Sequence, residues 1–504
     1  MADRAEIARR VRARRELARR RVDRWCCALP ETGRGAYRIA RWLEYALPAL
    51  QAWAEGCSRG ESPRLMLCLP PQYGKSEAVK RVVAWILGRY ALPVAVCTYS
   101  SDLALDHSRA IRAYCRSDEA RAIFPGLALP EIQGSQRTGA RRDVDRVDNW
   151  TTLGGGRIYA VGVGGALTGR TPRAVVIDDA HKDLASAMSR AEQERVWGWY
   201  RTVVYTRAAA NHAGILVMGT RWADGDLIGR LRAEAENGGE QWQIIDIPAI
   251  AEEDDPLGRE EGEPLDPELQ TLEQLAQTRR AMGSRLFAAL YQQRPAPAEG
   301  ALIRIEWMTH RYPEPPDLRA RMADAVILAV DGAATSGAGD HTVIGGWALG
   351  RGEIAKIAHR RGQWDYPTMR QVLRDEHDRL AQVTGRRPAI VVEAASNGRP
   401  VADELEREGY TVIRVNPGTR SKLARALPTL GPWEAGQVLL PADAEWVPGY
   451  VDRMARVSGQ GDEVDDELDE TTYAILHWLG VGDHDPDPID ASTWGQVAAA
   501  LGSW

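Results

Sequence analysis

The chain has 504 residues, a formal net charge of −6, and 44% hydrophobic and 27% charged residues. That length exceeds one ordinary core, so two principal domains with extensions are expected, and no apolar run is long enough to cross a bilayer. The balance excludes a uniformly basic nucleic-acid coat, although a local basic groove stays compatible with DNA.

In chain order, residues 1 to about 24 are crowded with arginine, including Arg9, Arg10, Arg14, Arg15, Arg19, Arg20 and Arg21. A solvated helix and a DNA or partner contact both fit this run. The stretch has neither the apolar core nor the cleavage site of a secretory signal, which implies the cytoplasm. Six cysteines without a CxxC pair, with Cys68 and Cys97 in apolar strand-like runs, point to reduced, buried thiols rather than disulfides or zinc. Apolar residues at helical spacing follow over 36–57, then a short strand from Leu65. The apolar runs PVAVCTYS, RAVVIDD and AGILVMGT, separated by helical or loop-rich stretches, form the pattern of a parallel sheet covered on both faces. A proline-, glutamate- and glycine-rich stretch comes next, and a second α/β pattern starts at AVILAVDGA. The expected organisation is an α/β chain: an N-terminal helical extension (1–62), an α/β domain (63–250), a connector (251–322), a second α/β domain (323–482) and a tail (483–504).

The segment LMLCLPPQYGKSE places a strand, a tight turn at Gly74, then Lys75 and Ser76 opening a helix. This is the arrangement of a P-loop. Backbone N–H groups over Pro71, Gln72, Tyr73 and Gly74 cradle phosphates, Lys75 reaches the β and γ oxygens, and the Ser76 hydroxyl holds magnesium. Leu69 stands where the common motif has its first glycine, and a bare GKS tripeptide arises often by chance. The strand before it and the helix after it lift the signal above that background. RAVVIDDA then delivers Asp178 and Asp179 at a strand's carboxyl end, where parallel-sheet ligands bind. Asp178 is expected to hold magnesium and Asp179 to orient the attacking water; the bland alternative is a helix-capping aspartate. GTRW places Thr220 as a sensor of the γ-phosphate, and Arg170 is the candidate for the cation that offsets transition-state charge in a neighbouring site.

In the second domain Asp331 and Glu393 end apolar strands, Asp340 precedes one, and Asp465, Asp466 and Asp469 lie at the start of a helix. Converging carboxylates repel one another, and a pair of divalent cations is the usual compensation in nucleases. Oxygen ligands favour magnesium, with manganese as the substitute. Considered alone, EVDDELDE reads equally well as a solvated acidic run; Asp331 and Glu393 tip the balance, because a charge ending an apolar strand is costly unless it meets a cleft or a metal.

The order of these pieces resembles the large terminase subunit of tailed phages and prophages, from about residue 36 to 482. LPPQYGKSE looks like that family's P-loop, YAVGVGGALTGR like the glycine-rich stretch before its acidic strand, LVMGTRW like its coupling motif, and DDELD like a DDxxD motif of its ribonuclease H-like nuclease. Gln72 and Tyr73 depart from an arginine and a histidine that members often carry. The resemblance implies ATP-driven translocation of double-stranded DNA into a procapsid and metal-dependent cleavage of the concatemer. It also implies a portal protein and a small subunit as partners, a ring when docked with a monomer in solution as the other state, and action in the bacterial host cytoplasm and at the portal vertex. Two alternatives stay open. A helicase-like ATPase-nuclease of repair or defence would need a second helicase-type domain, for which there is no sign. A non-enzymatic prophage remnant binding the portal would have no reason to keep Lys75, Ser76, Asp178 and Asp331 together.

Overall fold

The computed structural model describes residues 2–31, 35–130, 145–295, 302–332, 341–393, 398–415, 422–457 and 466–480. They form two compact units. The first holds the described residues up to Lys182 with Arg190–Leu272 and Ala288–Pro295; the second holds Asp183–Ser189, Glu273–Phe287 and the described residues from 302 onward.

The first unit opens with three helices, α1 (Ala2–Arg20), α2 (Val22–Ala28) and α3 (Arg41–Arg59). In α3 the residues Trp42, Leu43, Ala46, Leu47, Leu50, Trp53 and Ala54 recur at helical spacing and are all buried. Eight strands follow: β1 (Arg64–Cys68), β2 (Pro93–Thr98), β3 (Asp145–Arg146), β4 (Asn149–Thr151), β5 (Arg157–Gly162), β6 (Ala174–Asp178), β7 (Gly214–Gly219) and β8 (Gln243–Asp246). Their order is β8-β1-β7-β6-β2-β5-β4-β3, with only the β5-β4-β3 edge antiparallel. Helices α4 (Lys75–Arg89), α5 (Ser101–Arg116) and α6 (Leu227–Glu236) follow β1, β2 and β7.

Strand periodicity divides the core in two. Leu65 and Leu67 pack with residues of α3 and α4, while Met66 and Cys68 face the opposite cluster of Trp199, Tyr200 and Leu227. The N-terminal helices belong to the first cluster through Ala18, Val22 and Trp25. Polar contacts pin them to α4: Trp25 Nε1 donates to the Arg81 carbonyl at 2.9 Å, and the buried Arg81 guanidinium donates to the carbonyls of Cys26 and Leu29 at 3.2 and 2.7 Å. Part of the stretch expected to connect the domains is likewise built into this unit. Arg259, 5% exposed, pairs with Asp255 at 2.5 Å and donates to the Pro248 carbonyl at 2.8 Å, and Leu265 joins the core.

The second unit has a seven-stranded sheet: β9 (Arg311–Tyr312), β10 (Ala325–Asp331), β11 (Thr342–Gly350), β12 (Glu353–Gly362), β13 (Ala389–Glu393), β14 (Val412–Val415) and β15 (Val438–Pro441). The order is β9-β15-β12-β11-β10-β13-β14. An antiparallel meander, β10-β11-β12, sits at the centre, and parallel strands add to each side. Helix α7 (Tyr366–Thr384) supplies Leu373 and Leu380 to the core, and α8 (Asp466–Trp478) closes the described chain.

The acidic run opening α8 is not a solvated surface. Asp466, Glu467, Asp469 and Glu470 are between 0% and 9% exposed, and each meets a cation. Glu467 pairs with Arg453 and with Arg361 at 3.0 Å, and Glu470 Oε2 lies 2.5 Å from Lys356 Nζ. Glu470 Oε1 also accepts from Trp347 Nε1 at 2.5 Å, where a Cβ on Gly345 would collide with it.

Candidate active sites

In the first unit β7 lies between β1 and β6, so its carboxyl end separates the phosphate turn from the acidic strand end. Gly74 occupies the left-handed region (φ 79°), has open space where a Cβ would stand, and precedes a helix whose first N–H groups have no side-chain cap. Those N–H groups and the helix dipole fit a phosphate. Lys75, 8% exposed, reaches back across β7: its Nζ is 2.5 Å from Thr220 Oγ1 and 3.1 Å from Asp179 Oδ1. Thr220 in turn donates its hydroxyl to the Leu69 carbonyl at 3.1 Å and its N–H to Asp179 Oδ1 at 3.2 Å. Asp179 takes up a left-handed backbone (φ 50°), which aspartate tolerates better than most residues.

Asp178, one residue earlier, has a different setting. It is 1% exposed, and neither carboxylate oxygen accepts a hydrogen bond within normal geometry from any described residue. Burial, reinforced by the Asp179 charge, pushes its carboxyl up to about 7, while Ser76, Lys75 and Lys80 pull the other way. A buried, unsatisfied acid beside a phosphate cradle and the Ser76 hydroxyl has the donor chemistry for a divalent cation.

The remaining expected residues divide in their roles. Tyr73 is buried in the core and its carbonyl accepts from Trp42 Nε1 at 2.9 Å, so its side chain is not directed at phosphates and only its backbone serves the turn. Pro71 is half-buried and Gln72 exposed, the latter at φ 67°. Arg170 stands over the Tyr159 ring at 5.3 Å and 3.7 Å from Asp148, with its side chain 25% exposed. Arg221, beside Thr220, binds the buried Asp226 through Nε at 3.1 Å, and Asp226 caps α6 by accepting from Gly229 N–H at 2.8 Å. Sequence reasoning missed His107. On α5 it is 5% exposed, with Nδ1 3.6 Å from Asp178 Oδ2, and burial brings its pKa down to about 4, leaving a neutral imidazole.

In the second unit β10 and β13 are adjacent and parallel, with Val330 opposite Val392, so Asp331 and Glu393 emerge together at the same sheet end. Asp331 is held well above the usual carboxylate range, chiefly by burial, then by the charges of Asp469, Asp466 and Glu393, with Lys422 opposing. The four acids therefore face one another. Protein groups already engage three of them. Asp469 lies 2.9 Å from Lys422 Nζ and 2.8 Å from an Arg425 guanidinium nitrogen, Glu393 accepts from the Tyr473 hydroxyl, and Asp466 is 3.6 Å from Arg361 and 4.0 Å from His341. No group of three or more His, Cys, Asp or Glu side chains among the described residues stands in a metal-binding arrangement. Asp340 and Asp465 lie outside the described residues. The all-oxygen, mutually repelling donor set nevertheless fits a hard divalent cation, with Lys422 and Arg425 offsetting the charge in its place. Neither cation was legible, because both lie more than forty residues from Asp469 in sequence and carry no motif.

No helix among the described residues is long and apolar enough to span a membrane. No curated protein matches the chain. Among solved structures it is similar to the large terminase from the thermophilic bacteriophage D6E in complex with ATP-gamma-S, at 12% identity and a TM-score of 0.47, covering 87% of this chain and 99% of that one. It is also similar to the HK97 bacteriophage large terminase, at 11% identity and a TM-score of 0.36 over 92% and 99% of the two chains. The large terminase nuclease from thermophilic phage G20c with bound magnesium matches at 18% identity and a TM-score of 0.25, over 34% of this chain and 97% of that one. Family models agree with the order of the two sites: "Terminase large subunit, T4likevirus-type, N-terminal" matches residues 66–310 and "Terminase RNaseH-like domain" matches 328–478. With both halves of one family's architecture matched in sequence order, the chain belongs to the terminase large subunit family.

Proposed function

We propose that the Lys75–Ser76–Asp178–Asp179 site hydrolyses ATP to move double-stranded DNA into a procapsid, and that the Asp331–Glu393–Asp466 site cuts that DNA. The observation that carries the first assignment is the contact of Lys75 with Thr220 and Asp179 beside an unsatisfied Asp178. Lys75 exchanges these contacts for the β- and γ-phosphate oxygens, which leaves Asp179 free to accept a proton from the attacking water. Thr220 then senses whether Lys75 has left. Arg170 completes the site of a neighbouring subunit in a ring assembled on the portal.

Cations held by Ser76 and Asp178 in one unit, and by Asp331, Glu393, Asp466 and Asp469 in the other, supply charge screening and water activation; magnesium suits both, manganese the second. For Asp469 to serve as a ligand there, Lys422 and Arg425 would have to release it. A small subunit that recognises the genome and the host cytoplasm as the place of action complete the reading.

The test is plasmid cleavage and ATP hydrolysis by the parent, Lys75→Ala and Asp331→Ala. Lys75→Ala should lose hydrolysis and keep cleavage, and Asp331→Ala the reverse. Cleavage by Asp331→Ala at the parent rate would remove the carboxylate cluster as the nuclease, and hydrolysis by Lys75→Ala at the parent rate would remove the phosphate site.

A further inference from the structure

Helix α5 buries one face, Ala104, His107, Ser108, Ile111 and Cys115. Four of these are small or apolar, as packing requires, and Ser108 is tied down, donating to the Val147 carbonyl at 2.5 Å and accepting from Trp150 Nε1 at 2.8 Å. His107 is the exception. Its Nδ1 is buried with no hydrogen-bond partner among the described residues, and the nearest acid is Asp178, whose two oxygens are equally unsatisfied. The two groups face each other at 3.6 Å, just beyond hydrogen-bond reach. A histidine that merely filled the core would have its ring nitrogens satisfied by its own surroundings. Here a donor and an acceptor that lack partners point at one another across a gap that a small side-chain movement closes.

We propose that His107 is a positioning residue for Asp178, donating from Nδ1 to Oδ2 so that the other carboxylate oxygen is presented to the divalent cation of the nucleotide. Carboxylates that ligate metals are themselves held by hydrogen bonds, and loss of such an outer partner weakens metal affinity by roughly 10- to 100-fold. Ser76, whose hydroxyl also bears on Asp178, is assigned to the same cation as a ligand and so does not play that outer part. Lys80, which also acts on both groups, is already 3.1 Å from Glu77. This inference rests on Asp178 being the cation-holding acid of the site proposed above.

The experiment titrates magnesium chloride into the full chain with N-methylanthraniloyl-ATP and reads fluorescence, in the parent, His107→Phe, His107→Asn and Asp178→Asn, with melting temperature measured in parallel. Phenylalanine keeps the ring volume without a donor, and asparagine places an amide N–H near the position of Nδ1. The expected result is a magnesium midpoint about 10-fold higher in His107→Phe, unchanged nucleotide binding in EDTA, and recovery of most of the loss in His107→Asn. A parent-like midpoint in His107→Phe overturns the proposal. So does an asparagine variant no better than phenylalanine with both melting early, which would make His107 a packing residue. If Asp178→Asn also leaves the midpoint unmoved, the site assignment itself fails; if Asp178→Asn shifts it and His107→Phe does not, only the positioning role falls.

Discussion

Lys356→Met should destabilise the nuclease unit far more than a surface substitution. Lys356 and Glu470 are both 0% exposed, and the Glu470 carboxylate is held by Lys356 Nζ at 2.5 Å, Trp347 Nε1 at 2.5 Å and the Thr471 hydroxyl at 3.2 Å. Burial draws the Lys356 pKa below the ordinary lysine value and Glu470 opposes that pull, so the ammonium keeps its charge only because of its partner. Removing the lysine leaves a buried carboxylate with two neutral donors. Breaking a buried pair in this way costs about 3–5 kcal/mol, which at roughly 2–4 °C per kcal/mol for a unit of this size lowers the melting temperature by ~10 °C. Replacing both partners, as Lys356→Met with Glu470→Gln, should recover most of the loss, because no charge is then stranded. Calorimetry of the full chain measures the three variants, and ATP hydrolysis at low temperature should survive in all of them. A single Lys356→Met variant that melts within about 1 °C of the parent, against the ~10 °C expected, refutes the reasoning.

Three further outcomes follow from the same geometry. Gly345→Ala should mimic Lys356→Met in calorimetry, since the added methyl meets Glu470 and crowds Lys356. Arg221→Ala strands Asp226, which is 2% exposed, and should cost about 3–5 kcal/mol and weaken fluorescent-nucleotide binding; Arg221→Lys should recover only part, because one ammonium cannot reproduce the fork. The third is a pH effect. Asp178 titrates near 7 when folded against 3.8 as its ordinary value, so between these the folded protein holds a proton that the unfolded chain releases. Its contribution is therefore present below about pH 4 and is lost as pH rises through about 7. In EDTA, the melting temperature of Asp178→Asn relative to the parent should rise from pH 5 to pH 8, and magnesium with nucleotide should cancel that trend.

Fold class was readable because strands buried on both faces must be apolar along their length, as RAVVIDD and AGILVMGT are. The close approach of Thr220 to Lys75 was less readable, since it depends on β7 inserting between β1 and β6, a matter of strand order that local pattern does not encode. The acidic run at 466–470 shows the limit most clearly. Local composition makes it a solvated face, and only cations drawn from Lys356, Arg361, Lys422, Arg425 and Arg453 allow it to be buried. Such partners come from three separate segments, and a charge pattern in one segment carries no record of them. His107 escaped notice for a related reason: a single histidine on an apolar helical face is ordinarily core, and its distinction is the unsatisfied acid across from it.

On the proposed roles, the two neighbouring aspartates of the first unit divide two tasks that one residue could not combine. Asp179 is satisfied in this structure by Lys75 and the Thr220 N–H, whereas neither Asp178 oxygen accepts a hydrogen bond of normal geometry from the described residues. A phosphate ligand that draws Lys75 away therefore removes a charge partner from Asp179 and a donor from Thr220 in one movement. Thr220 is covalently joined to Arg221, whose N–H donates to Gln293 Oε1 at 3.2 Å and whose side chain holds Asp226 at the head of α6. Both attachments are buried, so a change at Thr220 is resisted or passed on rather than dissipated in solvent. The lysine proposed to bind phosphate is thereby wired, through two adjacent residues, to a helix and to the 288–295 segment of the same unit. Weakening Arg221–Asp226 should uncouple occupancy of the phosphate site from the position of α6 even where nucleotide still binds, and that separation distinguishes a transmitting pair from one that only stabilises the fold.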